Sequence, residues 1–358
     1  MRTDAHDLIS LDDYEEAARE RLDHMAYEYL ASGVAGDLTL GWNRKGFERL
    51  GLMPRVLVDV STIDTRKTLF GRQHDYPLIL APTGYHCLFH TEGEHETVRG
   101  ANSCQTTLVA SCFSTVSYRN MSAESTEPLW FQLYMQPDRA RTRALLDEVI
   151  DAGCEAICVT VDLPVNSPRD RERRVDFHIP KGLSRANLDR FGEIPISRSE
   201  LYNSVRASGI TWKDIEWLRS YLTVPLLLKG IVRAEDARLA VAAGCDGIVV
   251  SNHGGRSIDG IPATIDLLPE IVEAVGNTVT ILMDGGIRRG TDVLKAIALG
   301  ADAVMIGRSY LFGLAVSGAQ GLAAVVDILR MEMSMAMGLT GCPTLAAIDR
   351  SLIRHTSL

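Results

Sequence analysis

The sequence predicts an α/β fold, a (β/α)8 TIM barrel with an N-terminal helical extension and a lid insertion after the fourth strand. Three observations support this class. A length of 358 residues suits one such barrel with additions. From residue 78 onward, short apolar runs alternate with helix-like segments, and a glycine turn recurs between them. Hydrophobic residues make up 46% and charged residues 23%, which predicts a large packed core. We therefore expect one domain over residues 1–358, with 1–70 as the extension.

The extension begins with a helical pattern over residues 10–50. Ser10 and Asp13 resemble a capping box at its start, and Gly33 and Gly36 break the pattern. Side chains recur at three- and four-residue steps, which predicts one buried face. That face carries Leu11, Tyr14, Ala17, Ala18, Arg21, Leu22, Met25 and Tyr29.

Eight apolar runs are the candidate barrel strands. They span residues 78–81, 107–111, 129–134, 156–161, 225–229, 247–251, 279–284 and 303–307. Helical patterns lie between most of them, as over 138–151, 234–243 and 291–299. Strands that alternate with helices of this length predict βα units and a parallel sheet.

An internal repeat locates the insertion. Turns around Gly153, Gly244 and Gly300 share one form, a helix stop followed by a strand. Two β/α units should lie between each pair of turns, yet the first spacing is 91 residues and the second is 56. The excess falls in residues 176–210, which lack a long apolar period. Because loops after strands face the catalytic end of a barrel, this segment predicts a mobile lid. The alternative is a disordered decoration far from the site.

Charge and cysteine usage exclude several classes. A net charge of −9 argues against a general affinity for nucleic acid or anionic membranes. The seven cysteines are scattered, without zinc-ligand spacing, so we expect no metal and reduced thiols. The N-terminus has no secretory signal, and no apolar run approaches about 18 residues. We expect a cytoplasmic protein without a membrane span.

The stretch Ser251-Asn252-His253-Gly254-Gly255-Arg256 carries the first chemical signal. It follows an apolar strand-like run and brings a proton acceptor and a permanent cation to one strand end. The two glycines between them allow backbone to approach a flat ligand closely.

Two glycine- and arginine-bearing turns predict a phosphate site. Asp284, Gly285, Gly286 and Arg288 follow the seventh strand, and Gly307 and Arg308 follow the eighth. Loops at these positions in such barrels commonly hold phosphate with backbone N–H groups, and arginines add charge. The alternative is ordinary glycine turns with solvated arginines.

Other strand ends are also polar. They carry Pro82, Thr83, Gly84, Ser111, Gln132, Tyr134, Thr160, Asp162, Lys229, Ser251 and His253. Any one of these is more often a structural hydrogen bond. Their convergence on one end of the barrel indicates a site.

The whole pattern resembles the FMN-dependent (S)-2-hydroxy-acid oxidases and dehydrogenases, from about Tyr14 to Arg354. The family includes glycolate oxidase, lactate oxidase, mandelate dehydrogenase and the flavin domain of flavocytochrome b2. The resemblance is carried by TLGWNRKGFERLGLMPRVLVDVSTID, LAPTGYHCLFHTEGE, WFQLYMQPDR, TVDLPVN, TWKDIEWLR, LLLKGIVRAEDARLAV, SNHGGRSIDG, MDGGIRRGTDVLKAIALGA and MIGR.

The resemblance implies a role for each candidate. His253 is the base, Asp162 pairs with it, and Lys229 lies against the N1/O2 edge of FMN. Arg256 and Arg169 hold the substrate carboxylate, and Tyr29 and Tyr134 touch the substrate. The flavin is lined by Pro82, Thr83, Gly84, Ser111, Gln132, Thr160 and Ser251, and its phosphate is held by Asp284, Gly285, Gly286, Arg288, Gly307 and Arg308.

Three departures leave alternatives open. Phe113 stands where many members that use glycolate have Trp, and Gly84 where many oxidases have Ala. The stretch VNSPRDRERR is unusual, so Arg169 is assigned by position and Arg171 competes with it. Residues 176–210 lack the apolar anchor of mandelate dehydrogenase.

The resemblance implies oxidation of a small (S)-2-hydroxy acid to the 2-oxo acid, with reoxidation by O2 giving H2O2. A dehydrogenase that uses a quinone or another acceptor is the alternative. Less favoured are an isomerase of a phosphorylated substrate and a non-catalytic barrel. By analogy, we expect a homotetramer or homo-octamer.

Overall fold

The computed structural model describes residues 8–192 and 206–356 of the chain. Eight parallel strands close into a barrel: β1 (Leu78–Leu80), β2 (Thr107–Ser111), β3 (Trp130–Leu133), β4 (Ile157–Thr160), β5 (Leu226–Ile231), β6 (Gly247–Val250), β7 (Thr280–Asp284) and β8 (Ala303–Ile306). Neighbours in the chain are neighbours in the sheet, and β8 pairs with β1. The predicted barrel and its eight strands are confirmed.

Alternation along the strands separates two cores. The outward side chains pack against the surrounding helices, and the inward ones fill the barrel. Inward residues Val109, Trp130 and Cys158 are at most 1% exposed. The same alternation turns the next inward positions, two residues later, toward the upper rim. Polar residues therefore occupy the top layer above an apolar filling.

A short hairpin closes the lower end of the barrel. Its strands, Lys67–Leu69 and Arg72–His74, are antiparallel, and the ring of Phe70 between them packs against Trp130 at 5.4 Å. This closed apolar end leaves the carboxyl ends of the strands as the open end, where parallel barrels carry their sites.

The N-terminal extension consists of α1 (Leu11–Arg21), α2 (His24–Ala31) and α3 (Leu38–Glu48). The capping box of Ser10 and Asp13 is present. The continuous face predicted from Leu11 to Tyr29 is broken, because Leu22 has extended backbone and Asp23 caps a new helix at Ala26. The break lets α2 turn over the open end of the barrel.

In the described part of the chain, nine further α-helices follow: α4 (Glu94–Ser103), α5 (Tyr118–Glu124), α6 (Arg139–Asp151), α7 (Asp170–Arg174), α8 (Trp212–Tyr221), α9 (Ala234–Ala242), α10 (Thr264–Val275), α11 (Gly290–Ala298) and α12 (Arg308–Leu339). In α12 the backbone leaves helical geometry at Ser317 and Gly318. A two-stranded antiparallel sheet joins Leu50–Leu52 to Ile353–His355.

Helix α12 is long and apolar enough, by length and composition, to cross a membrane, and no other helix of the described segments is. Of its most apolar stretch, 56% is buried, and the helix packs against α1, α4 and α11. A core helix of a soluble protein meets the same criterion, so the expected lack of a membrane span stays a prediction.

The predicted lid, residues 176–210, follows β4 and α7. Residues 193–205 of it lie outside the described residues. Of the described part, Phe177, His178 and Ile179 line the cavity at the open end of the barrel. These described residues therefore lie at the site, and the mobility expected of the segment stays a prediction.

Candidate active site

A cavity of about 1260 Å³ lies at the carboxyl ends of the strands. Every site residue predicted from the sequence lines it except Asp162 and Ser251, which bond to the lining residues His253 and Lys229. The lining ones are Tyr29, Pro82, Thr83, Gly84, Ser111, Gln132, Tyr134, Thr160, Arg169, Lys229, His253, Arg256, Asp284, Gly285, Gly286, Arg288, Gly307 and Arg308. Residues from all eight strand ends and from α2 therefore meet in one place.

His253 is held by a tight turn after β6. It has a left-handed φ of 60°, and Gly254 and Gly255 continue with φ of 60° and 78°. The backbone N–H of His253 donates to Ser251 Oγ at 3.0 Å, and its Nδ1 lies 2.9 Å from Asp162 Oδ1. Pairing at Nδ1 leaves Nε2 available for chemistry.

The imidazole and the carboxylate influence each other. Burial lowers the pKa of His253 below its usual 6.5 and outweighs the opposing charge of Asp162. Burial acts to raise the pKa of Asp162, but His253 and Lys229 outweigh it, so that pKa is lowered. A neutral imidazole beside an ionised carboxylate is the arrangement that a general base needs.

Lys229 is a buried cation at the end of β5. Its Nζ donates to Ser251 Oγ at 2.9 Å and pairs with Asp284 Oδ2 at 2.8 Å. Burial acts to lower its pKa, but Asp284 and Asp162 outweigh burial and raise it. Ser251 thus orients Lys229 from below the cavity wall. Asp284, predicted near the phosphate, balances this ammonium.

The structure separates the two competing arginines after β4. Arg169 lines the cavity, whereas Arg171 pairs with Glu28 at 2.5 Å and Asp37 at 3.2 Å, outside it. Burial and the nearby Arg256 lower the pKa of Arg169. Arg169 is therefore the residue of this pair that can reach a substrate.

Arg256 makes contacts that the sequence did not predict. Its Nη2 donates to Glu172 Oε1 at 2.8 Å, and its guanidinium lies 5.0 Å from the ring centre of Tyr29. Glu172 follows Arg169 by three residues in α7, so helical spacing was the available signal. The carboxylate of Glu172 is thus paired with Arg256, the residue predicted to bind the substrate carboxylate.

Two arginines close the end of α2. Arg256 donates to the carbonyl oxygens of Tyr29 and Ser32, each at 2.8 Å. Arg308 donates to those of Leu30 at 3.0 Å and Ser32 at 2.8 Å. The last carbonyls of a helix have no partner within the helix, and cations suit them. The barrel and the extension therefore build one site.

The phosphate loops lie against α3. Gly286 has φ of 85°, and a Cβ there would be 2.3 Å from the carbonyl oxygen of Asn43. Asn43 and Asn252 exchange side-chain amide hydrogen bonds of 2.9 and 2.8 Å. Arg288 is held by Asp12 at 2.5 Å and Glu15 at 2.7 Å. Only glycine fits at residue 286, because the loop packs directly on the backbone of α3.

Aromatic rings form the substrate side of the cavity. Phe177 stacks on Tyr29 with centres 4.4 Å apart, and Phe113 lies 5.2 Å from Tyr134 and 6.0 Å from Tyr85. A Cβ on Gly84 would be 3.0 Å from the Cβ of Phe113. The two sequence departures, Gly84 and Phe113, are thus packed against each other.

Arg206 is a further cavity residue that the sequence did not single out. Its guanidinium lies 5.4 Å from the ring centre of Tyr134, and its Nη2 donates to Asn166 Oδ1 at 2.5 Å. It belongs to the lid segment, whose sequence has no periodicity that predicts the direction of a side chain.

The cavity fits FMN. Gln132 Nε2 and Arg288 Nε are buried and lack a hydrogen-bond partner among the described residues. Since buried donors are normally paired, these two atoms indicate a polar ligand at the site. One lies at the strand ends and the other at the phosphate loop, as a ring and a phosphate of one ligand require.

Comparisons with known proteins agree with this geometry. A family model described as FMN-dependent dehydrogenase matches residues 18–355. An L-lactate oxidase of Nostoc sp. is 46% identical over 356 residues, covering 96% of this chain and 98% of the relative. 2-Hydroxyacid oxidase 1 of Homo sapiens is 40% identical over 362 residues, covering 98% of each. A solved structure of mandelate oxidase with (S)-2-phenylpropionate is 40% identical, with a TM-score of 0.89 over 98% of each chain.

Proposed function

The chain belongs to the FMN-dependent dehydrogenase family, and we propose that it oxidises (S)-2-hydroxy acids to 2-oxo acids, with O2 as the electron acceptor. One observation carries the proposal: a proton acceptor, a pair of arginines and a buried lysine line one cavity. Several relatives are named oxidases, including an L-lactate oxidase and a 2-hydroxyacid oxidase.

FMN, when bound in this cavity, would supply the acceptor for the two electrons that the substrate loses. Arg256 and Arg169 bind the substrate carboxylate, which fixes the face that the substrate presents. His253 takes a proton from the hydroxy acid, and the charge of Asp162 stabilises the imidazolium that forms. Lys229 supplies positive charge at the strand ends, where negative charge develops.

The substrate carboxylate must displace Glu172 from Arg256. The stacked rings of Tyr29 and Phe177 line the cavity and would help to keep water away from the proton transfer. These contacts support a role for α7 and the described part of the lid in substrate entry.

The test is flavin bleaching without oxygen. Purified protein is mixed with (S)-lactate, glycolate, (S)-mandelate and longer (S)-2-hydroxy acids, with (R)-lactate as the control. We expect at least one (S)-acid to bleach the flavin absorbance. Failure of the whole series would overturn the proposal.

A dehydrogenase of the same family is the alternative for the electron acceptor. Reduced enzyme is mixed in separate experiments with O2 and with a quinone. Oxidase function requires that reoxidation by O2 sustain turnover and release H2O2. Reoxidation that is fast only with the quinone would select the dehydrogenase.

We propose that the protein forms a homotetramer or homo-octamer through an exposed apolar patch. The patch comprises Met53, Val56, Leu57, Val58, Met331, Met335 and Leu339, of which Leu57 is 103% and Leu339 is 78% exposed. The segment from Met53 to Val58 runs beside the end of α12, since Arg55 N–H donates to Thr340 O at 3.1 Å. Patches of this kind mark association sites.

The oligomer is tested by light scattering after size exclusion. We expect a mass of four or eight chains for the natural sequence and a smaller mass for Leu57→Asp combined with Leu339→Asp. A monomeric natural protein would contradict the proposal.

A cytoplasmic location is also proposed, supported by seven free cysteines.

A further inference from the structure

Arg206 is a buried cation in the cavity wall that no carboxylate of the described chain neutralises. The residue is 8% exposed. Its Nη2 donates to the neutral amide of Asn166, and its guanidinium lies over the ring of Tyr134. Its Nε is buried and has no hydrogen-bond partner among residues 8–192 and 206–356. Part of this guanidinium is therefore available to a ligand.

The backbone anchors Arg206 at this place. The N–H of the next residue, Ala207, donates to the carbonyl of Met135 at 2.9 Å. Met135 directly follows Tyr134 at the end of β3, so the guanidinium is tied to the barrel rim. A buried side chain with a fixed backbone can form a subsite of defined geometry.

Arg256 and Arg288, two other arginines of the cavity, differ from Arg206 in having carboxylate partners. Arg256 is paired with Glu172, and Arg288 with Asp12 and Glu15. Arg308 has no carboxylate partner among the described residues either, but its guanidinium donates to the backbone carbonyls of Leu30, Ser32 and Gly254. A buried charge without a counter-charge is costly, and one that is retained is typical of a functional site. A substrate carboxylate bound by Arg256 and Arg169 would leave Arg206 unbalanced.

We propose that Arg206 binds a second carboxylate of the substrate, so that the preferred substrates are 2-hydroxy dicarboxylic acids. This inference rests on the proposed function, which supplies the first carboxylate site at Arg256 and Arg169. The rings of Tyr134 and Phe113 contact the carbon chain between the two carboxylates. The planar guanidinium offers parallel N–H donors, a geometry that matches a carboxylate.

The test compares acids that differ only in the distal group. Anaerobic flavin reduction is measured with (S)-malate against (S)-2-hydroxybutanoate, and with (S)-2-hydroxyglutarate against (S)-2-hydroxypentanoate. We expect kcat/KM for at least one diacid to exceed that of its partner by about tenfold to a hundredfold, the scale of a charged hydrogen bond. The variant Arg206→Gln should lose this preference, and Arg206→Lys should keep part of it.

The control variant is Arg174→Gln, which removes the same charge from an exposed position on the neighbouring helix α7. It should keep the diacid preference. A natural enzyme that reduces both acids of each pair equally would overturn the inference. So would an Arg206→Gln variant that loses activity equally with monoacids and diacids.

A binding experiment separates this inference from the proposed function. Glutarate and pentanoate lack the hydroxyl group, so neither can be oxidised, and their dissociation constants are measured from changes in the flavin spectrum. We expect glutarate to bind about tenfold more tightly than pentanoate, and this difference to vanish in Arg206→Gln. If no hydroxy acid bleaches the flavin but this difference is present, the function fails and the subsite stands. If bleaching occurs and glutarate has no advantage, the subsite fails alone.

Thermal unfolding of Arg206→Gln tests whether Arg206 has a purely structural role. Removing an uncompensated buried charge should leave the melting temperature of Arg206→Gln equal to or above that of the natural protein. A lower melting temperature together with uniformly weaker ligand binding would identify Arg206 as a packing residue and overturn the inference.

Discussion

The Nδ1 atom of His253 lies 2.9 Å from Oδ1 of Asp162, although 91 residues separate them in the chain. One residue follows β6 and the other follows β4, two strands away around the barrel. The contact leaves Nε2 of the imidazole as its reactive atom. It is the structural basis of the first two predictions.

Replacing His253 with Ala should lower the rate of anaerobic flavin reduction by about 10²- to 10⁴-fold, the usual contribution of a general base. Stopped-flow absorbance with saturating (S)-lactate or the best substrate measures it. FMN content should be unchanged, because no phosphate-loop contact is lost. Near-normal reduction would remove His253 from the chemistry.

The pH profile should report the lowered pKa of His253. Only neutral imidazole accepts a proton, so reduction should be slow at low pH and rise through a pKa below 6.5. Asp162 raises this pKa, so Asp162→Asn should move the acid limb to lower pH. The maximal rate should fall about tenfold or more, because the imidazolium loses its charged partner.

An acid limb that moves to higher pH in Asp162→Asn would contradict this assignment. Asp176→Asn is not a suitable comparison, since that side chain lines the cavity. Asp236→Asn, in the first turn of α9, removes one carboxylate outside the cavity and serves as the control.

Glu172→Gln should tighten substrate binding by about twofold to fivefold. The carboxylate of Glu172 holds Arg256 at 2.8 Å and must leave before the substrate carboxylate enters. The dissociation constant for a 2-oxo acid product, measured from the flavin spectrum, checks this. Weaker binding would mean that Glu172 orients Arg256 instead of competing for it.

Lys229→Met should lower both FMN retention and the flavin midpoint potential. The change removes the cation that stabilises negative charge at the strand ends and leaves Asp284 buried without its 2.8 Å partner. We expect a loss of roughly 3 kcal/mol in the unfolding free energy. Redox titration and urea unfolding measure the two effects.

Lys67→Met is the matched control for Lys229. Lys67 pairs with Asp302 at 2.7 Å, but both side chains are about one-third exposed. Its loss should cost less than about 1 kcal/mol and leave the flavin potential unchanged. An unchanged potential in Lys229→Met would reject the assignment of this lysine.

Gly286→Ala should abolish FMN retention. The added methyl group would meet the carbonyl of Asn43 at 2.3 Å, and the φ of 85° disfavours alanine. The ratio of flavin absorbance to protein absorbance after desalting measures retention. Gly41→Ala on α3 is the control, because a Cβ there meets no atom within 4 Å. Full flavin content in Gly286→Ala would contradict the prediction.

The sequence predicted the barrel because apolar strands and glycine turns repeat along it. It predicted the site because polar residues such as Ser111 and Gln132 continue the inward alternation of β2 and β3. It did not separate Arg169 from Arg171, since spacing in an irregular segment does not reveal which side chain turns inward. The partners of Arg171, Glu28 and Asp37, lie more than a hundred residues earlier in the chain.

The sequence also did not predict the contacts between charged residues within the cavity. Nothing in the sequence around Arg206 indicates that its side chain is buried, because the segment has no hydrophobic periodicity that would distinguish a buried face. The break between α1 and α2 could have been predicted, because Asp23 is a typical helix N-cap residue. The apolar periodicity that continues past Asp23 favoured one continuous helix instead.

The two guanidinium groups that close α2 make the barrel site depend on the N-terminal extension. Arg256 and Arg308 both depend on carbonyls near Ser32, which precede the first barrel strand by more than forty residues. A truncated chain that contained only the eight β/α units would leave both arginines without these carbonyl partners. Any attempt to graft this chemistry onto another eightfold barrel therefore has to include the N-terminal extension.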